Sequence, residues 1–384
     1  MANNNDKKVL NVPALRFPEF TGEWENITIR EACSEFQSGK NIKAEMINDQ
    51  GLYPVYGGNG LRGFTGSYNH DGDYILIGRQ GALCGNVRKV TGKTYVTEHA
   101  IAVCASKEHE TTFLQHLFQK MRLGQYSDQS AQPGLAVNKL LRLNINVPSK
   151  NEQGKIAKIL SLIDERITTQ NKIIEKYESL IQAIIYQKKT DGIRKGNWQK
   201  TELSKVLQER TEKNINGYTV CSVSVSQGVI NQIEYLGRSF AAKETSHYNV
   251  VKYGDIVYTK SPTGDFPYGI VKRSYIKNAV AVSPLYGVYK PINDNIGVIL
   301  HFYFMQPNNA FNYLYPLIQK GAKNTINITN TRFLENSIPL PKTEDEAVYI
   351  ANALTRIQTK IDIEKSLLRS YEREKQYLLR QMFI

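Results

Sequence analysis

With 384 residues, 41% of them hydrophobic, the chain is long enough to bury the cores of two domains of ordinary size. Its formal net charge of +13 and pI near 9.3 favour an anionic partner such as nucleic acid. No stretch approaches the roughly 18–20 apolar residues of a membrane span, and the first residues lack the apolar run of a signal peptide. The four cysteines are scattered without a Cys-x-x-Cys pair, so we expect no zinc site, no disulfides and a soluble protein in a reducing cytoplasm.

The first part of the chain, residues 1–148, predicts a mixed, strand-rich domain. The segment Tyr53–Gly60 contains an Asn-Gly turn between short apolar runs. The turn at Asp71–Asp73 leads into a strand that includes Ile75–Ile77. A helix is predicted at about 110–123, and turn residues and short strands fill most of the rest.

Residues 149–192 and 342–384 predict two long helices that match each other at a constant offset of 194. Their apolar residues step alternately by four and three, which is the heptad spacing of a coiled coil. The matched positions, called the seam below, are Ile156, Leu160, Ile163, Ile167, Ile174, Tyr177, Ile184, Ile350, Leu354, Ile357, Ile361, Leu368, Tyr371 and Leu378. An isolated stripe is typical of an ordinary core helix, but two matched stripes of roughly 35 residues predict that the helices pair with each other.

Residues 193–341 repeat the framework of the first domain, so the chain contains an internal repeat. The segment Gly196–Trp198 matches Gly22–Trp24, and these segments hold the two tryptophans of the sequence. Gly254-Asp255 precedes a strand as Gly72-Asp73 does. The two halves therefore predict equivalent domains, each followed by its own long helix.

These elements predict an α+β fold with two similar, strand-rich domains separated by two long helices. A further helix is predicted at about 297–320 in the second domain. Because each long helix follows its own domain, an antiparallel coiled coil would place the domains at opposite ends, related by an approximate twofold axis. A parallel pair of helices is also compatible with the sequence.

The motifs of the common enzyme mechanisms are missing. A P-loop would need glycine where Val87 stands before Gly92-Lys93-Thr94, and the glycines of Gly57–Gly60 lack the strand–loop–helix context of a dinucleotide site. The histidines lack zinc-helix spacing, and the sequence contains no Gly-x-Ser-x-Gly elbow and no Asn-Pro-Pro or Asp-Pro-Pro tetrapeptide. The Glu372–Lys375 run fits a charged helix face better than a nuclease Glu-x-Lys. We therefore predict a binding protein with no catalytic residues, metal or cofactor of its own.

Two similar but unequal basic domains suit a bipartite and asymmetric DNA site, because the spacing between the domains becomes the spacing between half-sites. Arg, Asn and Gln match the edges of guanine and adenine, whereas Lys more often contacts phosphate. The candidate DNA-binding residues are Tyr56, Asn59, Arg62, Arg79 and Gln80 in the first domain, and Lys260, Ser261, Thr263, Lys323 and Asn324 in the second. For any one of these residues, a surface or turn role without base contact fits equally well.

Three segments, together with the duplicated helices after Pro148 and Pro341, carry a family likeness. Leu15–Trp24 is a characteristic opening, Tyr53–Gly60 is typical of one class of target recognition domain, and Tyr258–Pro262 is typical of another. With these features the whole chain resembles the specificity subunits of type I restriction-modification systems.

The resemblance implies two target recognition domains and an antiparallel coiled-coil spacer. It also implies two methyltransferase (M) subunits that bind S-adenosylmethionine and methylate adenine, and restriction (R) subunits that use ATP and Mg. None of that chemistry maps to residues of this chain. The helix faces around Tyr177, Ile184, Tyr371 and Leu378 are candidate methyltransferase-docking surfaces by resemblance, although packing in the seam is their simpler role. The alternative is a coiled-coil DNA-binding regulator that acts without partner enzymes.

Overall fold

The computed structural model describes residues 10–128, 133–239, 241–320 and 326–384. The chain divides into two compact units, Met1–Asn171 with Ser366–Ile384, and Lys172–Lys365. The sequence predicts domain boundaries at the ends of the two long helices, whereas each compact unit contains one domain and part of both long helices. The reason is that a domain packs against the start of one helix and the end of the other.

The elements of the first unit are β1 Glu25–Thr28, α1 Ile29–Ala32, β2 Cys33–Ser38, β3 Tyr53–Gly57, β4 Gly60–Thr65, β5 Asp73–Gly78, β6 Val87–Thr91, β7 Tyr95–Val96, β8 Ala100–Ala105, α2 Thr111–Met121, α3 Val137–Leu141 and β9 Asn144–Val147. They form a four-stranded antiparallel sheet in the order β2-β8-β5-β6, a three-stranded sheet β4-β3-β7 and the pair β1-β9. The predicted strand around Ile75–Ile77 and the predicted helix at about 110–123 are both confirmed.

The central strand β5 is buried on both faces. Ile75 and Ile77 belong to the core shared with Phe113 of α2, whereas Leu76 belongs to a second core that includes Val96 of β7. Because side chains alternate along a strand, a strand between two layers needs apolar residues at every position. This explains the uninterrupted apolar run that the sequence shows here.

The long helices are α4, Lys150–Lys195, and α9, Glu344–Gln381. At 46 residues, α4 is about 69 Å long. In the first unit Asp164 of α4 forms an ion pair of 2.6 Å with Lys375 of α9, and the Arg166 guanidinium lies 5.9 Å from the centre of the Tyr371 ring. In the second unit the Lys365 ammonium of α9 lies 2.7 Å from the carboxylate of Glu178 of α4, and Lys188 lies over the ring of Tyr349 at 5.2 Å.

As residue numbers increase along α4, the numbers of the residues that they contact in α9 decrease. The two helices therefore run antiparallel in each unit. The parallel arrangement that the sequence also allowed is excluded. In the first unit Ile156, Leu160 and Ile163 are at most 5% exposed and join the domain core. Every other seam residue is buried or half-buried.

The second unit contains the matching sheet β11-β18-β15-β16 and the pair β10-β21. Its elements are β10 Trp198–Glu202, β11 Leu207–Glu209, β12 Cys221–Ser224, β13 Gly228–Asn231, α5 Gln232–Leu236, β14 Asn249–Val251, β15 Ile256–Tyr258, β16 Val271–Arg273, β17 Val280–Val282, β18 Gly287–Pro291, α6 Asp294–Phe304, α7 Pro307–Leu314, β19 Gln319–Lys320, β20 Ile326–Asn327, α8 Asn330–Phe333 and β21 Ser337–Pro341. The sheet order repeats that of the first unit strand for strand, as the sequence repeat predicts.

The single helix predicted at about 297–320 is wrong in extent. The structure has two helices there, and the segment ends in the strand Gln319–Lys320. Pro307 stands at the start of α7, where its missing N–H costs nothing, but it cannot continue the helix that precedes it.

Both units join domain and helix in the same way. The Trp24 indole N–H donates to the Glu152 carboxylate at 3.3 Å, and the Trp198 indole N–H donates to Glu346 at 3.0 Å. Each glutamate lies in the first turn of its long helix, where the helix dipole favours a negative charge. In the first unit Arg16 also forms two hydrogen bonds of 2.8 Å with the buried Glu152.

None of the helices in the described ranges combines the length and the apolar composition that a membrane span requires.

Candidate nucleic-acid interface

In the first unit, the hairpin of β3 and β4 ends against the last residues of β5. Gly57 pairs with Gly60, so the two turn residues are Gly58 and Asn59, one position earlier than the Asn-Gly turn predicted from the sequence. A side chain on Gly58 would come within 2.7 Å of the carbonyl oxygen of His99, so the close approach requires glycine. The turn and the end of β5 therefore form one surface. This surface, called the first loop cluster, consists of Tyr56, Asn59, Arg62, Arg79, Gln80, Arg88 and His99.

The first loop cluster brings together the five candidate residues of the first domain. Asn59 and Arg62 are exposed on the hairpin, and the Arg62 side chain occupies the space that a side chain on Gly57 would need. Tyr56 is half-buried against the second core of the domain, which gives it a packing contact.

Arg79 and Gln80 are held by the backbone beside the hairpin. The Arg79 N–H donates to the His99 carbonyl at 2.9 Å, and the Arg79 carbonyl accepts from the Leu135 N–H at 2.9 Å. The exposed Gln80 side chain lies 3.1 Å from Nδ1 of His99. Two backbone bonds fix the direction in which the Arg79 side chain leaves the strand, which is a precondition for base recognition.

Two further residues of the first loop cluster, Arg88 and His99, carry no local signal in the sequence. The half-buried Arg88 guanidinium of β6 lies against Gly60, where a side chain on the glycine would meet it at 2.6 Å. His99 supplies the carbonyl and ring nitrogen that hold Arg79 and Gln80. Arg88 comes from a strand distant in sequence from the hairpin, so local sequence signals could not have indicated it. With Arg62 and Arg79 it makes the cluster rich in positive charge.

In the second unit, the equivalent surface is the loop between β15 and β16. A tight turn closes it, with two backbone hydrogen bonds of 3.0 Å between Thr263 and Phe266. Ser261 and Thr263 are exposed, while Lys260 is half-buried. Burial lowers the pKa of Lys260, and the nearby Glu209 carboxylate opposes that shift. The candidates Lys323 and Asn324 lie outside the described residues.

An aromatic cluster supports this loop. Tyr268 of the loop lies 5.3 Å from Phe311 and 6.0 Å from Tyr315, measured between ring centroids. Phe311 and Tyr315 are stacked at 5.3 Å, and Tyr315 is 57% exposed. In the first unit the loop between β5 and β6 rests instead on the backbone of Leu123 and Gly124, so the two units support their loops with different residues on the same framework.

The arrangement is suited to recognition. Arginine and amide side chains at fixed positions can bind base edges, and lysines and further arginines can neutralise phosphates. In the part of the chain that the structure describes, no group of three or more His, Cys, Asp or Glu side chains could hold a metal ion.

The exposed apolar residues of the long helices differ from the docking positions predicted around Tyr177, Ile184, Tyr371 and Leu378. Leu378 is buried and the other three are half-buried in the seam. The exposed ones are Leu162, Leu367 and Tyr377 in the first unit, and Leu180, Tyr186, Ile193, Tyr349 and Ile363 in the second. A heptad pattern identifies the covered positions, and the uncovered apolar positions can be found only once the covered face is known.

The duplicated domains and heptad helices agree with the comparison to known families. The model of the type I restriction modification DNA specificity domain matches residues 21–179 and 198–373, which together are most of the chain. The chain belongs to this family.

Two curated relatives carry specificity-subunit names. The EcoprrI specificity subunit of a type I restriction enzyme from Escherichia coli is 42% identical over 165 residues, which are 42% of this chain and 40% of that protein. A protein of Haemophilus influenzae that is named a putative type I restriction enzyme specificity subunit is 24% identical over 189 residues, 48% of each protein. The matched region thus spans less than half the length of each curated relative.

A solved structure shares the fold over nearly the whole chain. The S subunit of a type I restriction-modification system from M. genitalium superposes with a TM-score of 0.66 at 16% identity, covering 97% of this chain and 99% of that one.

Proposed function

We propose that this chain is the DNA-recognition subunit of a type I restriction-modification complex and that it binds an asymmetric, bipartite DNA sequence. The observation that carries the proposal is the pairing of a repeated framework with unlike loops. Both units have the same sheet order, but one presents arginines around a glycine-rich hairpin and the other a lysine-containing loop on aromatic rings. Equal frameworks with unequal loops suit two different half-sites.

In this proposal each unit recognises one half-site. Arg62, Arg79 and Gln80 contact base edges in the first half-site, and Arg88 adds phosphate contact. In the second half-site Lys260 contacts phosphate while Ser261 and Thr263 lie against the bases. Phosphate contacts release counterions, so the affinity for DNA should fall steeply with salt.

The proposal assigns the chemistry to partner subunits. Two methyltransferase subunits would bind S-adenosylmethionine, and restriction subunits would use ATP and Mg. The exposed apolar residues of the long helices are candidates for docking of such partners, because large apolar side chains left uncovered on a helix can be buried in an interface. They are Leu162, Leu367 and Tyr377 in the first unit, and Leu180, Tyr186, Ile193, Tyr349 and Ile363 in the second.

Mapping of methylated adenines tests the proposal. The chain is expressed with its methyltransferase subunit in a host without adenine methylation. We expect a single new motif with two unlike halves and a fixed gap. The double variant Arg62→Ala/Arg79→Ala should relax one half of the motif and leave the other unchanged. The control Arg30→Ala removes an exposed arginine from α1 and should leave both halves unchanged.

Other outcomes would contradict the proposal. Sequence-specific DNA binding without any methylation, whichever methyltransferase is supplied, would favour the regulator instead. Modification of DNA by the purified chain alone would show that the chain carries chemistry of its own. A motif that relaxes in both halves, or in neither, would contradict the assignment of the first loop cluster to one half-site.

A further inference from the structure

Arg122 has a backbone conformation that its side chain disfavours. It ends α2 with φ 49° and ψ 61°, in the left-handed region, and it is the one non-glycine residue with positive φ in the described part of the chain. Helices commonly end in this conformation with glycine, which has no Cβ to clash with the backbone. An arginine at this position keeps the turn at the expense of backbone strain.

The fold uses the backbone of Arg122 but not its side chain. Its N–H donates to the carbonyl of Gln119 at 3.2 Å, and its carbonyl accepts from the N–H of Gln125 at 3.0 Å. The side chain is exposed, and within residues 10–128, 133–239, 241–320 and 326–384 the guanidinium has no hydrogen-bond or ion-pair partner. Packing and stability therefore do not account for arginine here.

Arg122 lines an open groove of about 520 Å³ next to the first loop cluster. Asn86 and Gln125 line the same groove, and Leu83 at its rim is 44% exposed. Two amides and a guanidinium are the side chains whose paired donors and acceptors match base edges. Leu83 offers apolar contact of the kind that a thymine methyl or a sugar receives.

The loop that lines the groove follows Arg79 and Gln80 directly in the chain. The loop that follows Gln80 folds back so that the Gly85 N–H donates to the Gly78 carbonyl at 2.7 Å. A side chain on Gly85 would lie 2.0 Å from the Gly124 nitrogen, so this loop rests directly on the turn that carries Arg122. The Cys84 thiol donates to the Arg79 carbonyl at 3.3 Å, and burial raises its pKa, which leaves it a structural role.

We infer that Arg122 is a specificity-determining residue of the first half-site, where its guanidinium binds a base edge in the groove formed with Asn86 and Gln125. This inference rests on the proposed function and extends the recognition surface beyond the first loop cluster. DNA fits the groove better than an acidic protein surface does, because base edges require both donors and acceptors. The Asn86 amide supplies both, and the Gln125 amide oxygen adds an acceptor while its nitrogen donates to the Met121 carbonyl at 2.6 Å. The strained turn is retained because it directs the guanidinium into the groove.

The test compares Arg122→Gly and Arg122→Lys with the matched control Arg142→Ala, which removes an exposed arginine from the end of α3 in the same unit. Each full-length variant selects from a randomised duplex library, and its melting temperature is measured. Arg122→Gly should melt at or above the wild-type temperature, because glycine relieves the strain. It should bind the wild-type site about 10-fold more weakly and lose preference at one base pair of one half-site.

Arg122→Lys keeps the charge but not the planar pair of donors, so it should retain the salt dependence of binding while losing the base preference. The control should select the wild-type sequence. A uniform loss of affinity across all sequences would assign Arg122 to a phosphate and overturn the inference. Unchanged selection by Arg122→Gly would overturn it too, as would a loss confined to assembly with the methyltransferase subunit. If the wild-type chain selects no sequence at all, the proposed function itself fails.

Discussion

His301 should make the second unit sensitive to mild acid. The side chain lies on α6, and its Nδ1 accepts a hydrogen bond of 3.2 Å from the backbone N–H of Arg273 in β16. Its ring forms a T-shaped pair with the Tyr275 ring at 5.4 Å between centroids, and the positive charges of Lys272 and Arg273 lie close to it. Burial is the largest cause that lowers the pKa of His301, to about 3, and the two neighbouring charges lower it further. The folded unit therefore holds this histidine neutral.

The direction and size of the effect follow from linkage. The folded pKa lies below the value of about 6.5 for an unfolded chain, so the stabilisation is complete above pH 6.5 and is lost as the pH falls toward 3. At pH 5 the protonated form of His301 outnumbers the neutral form by about 30 to 1 in the unfolded chain, whereas His301 stays neutral in the folded chain. His301 should therefore lower the free energy of unfolding by about 2 kcal/mol between pH 7 and pH 5.

Urea unfolding at pH 7 and pH 5 measures this loss, with the near-ultraviolet signal of Trp198 reporting on the second unit. The His301→Asn variant keeps an acceptor near Nδ1 but cannot be protonated, so its unfolding free energy should fall by about 2 kcal/mol less than that of the wild type. The exposed His247, changed to Asn, serves as the control and should behave as the wild type. Equal pH dependence in the wild type and His301→Asn would refute the reasoning.

Three other predictions concern the first unit. Phe383→Ala should lower the free energy of unfolding by about 3–4 kcal/mol, because the Phe383 ring is buried in the core and only 3% exposed. Its neighbour Ile384 is 38% exposed, so Ile384→Ala should lower that free energy by well under about 1 kcal/mol. Equal losses for the two variants in urea unfolding would contradict the packing described. A double-mutant cycle on Lys375 and Asp164 should give a coupling energy of about 1 kcal/mol, since both side chains are partly covered, and zero coupling would show that the pair does not stabilise the helix contact. Arg88→Ala should reduce the slope of the logarithm of the DNA-binding constant against the logarithm of the salt concentration by about one, as expected for the loss of one phosphate contact. An unchanged slope in binding titrations would show that Arg88 does not contact DNA.

Much of the architecture could be predicted from the sequence because periodicity and duplication are local, repeated signals. The heptad spacing predicts two long helices, and Trp24 and Trp198 mark the start of equivalent domains. The repeated Gly-Asp turns predict equivalent strands, and the structure shows them in the same sheet order. The candidate residues Arg62 and Arg79 belong to segments with turn and strand signals of their own. Their contribution to DNA binding stays a prediction.

The tertiary structure decided what lies beside these segments. Arg88 reaches the hairpin because β6 is the neighbour of β5, and Arg122 reaches the same surface because α2 ends beneath the loop after Gln80. Within each unit the antiparallel run of the helices, seen at pairs such as Asp164 with Lys375, is likewise a matter of contacts between distant residues. Spacing along the chain determines which residues form a helix or strand face. Which faces meet is set by packing, which brings together residues that no local pattern connects.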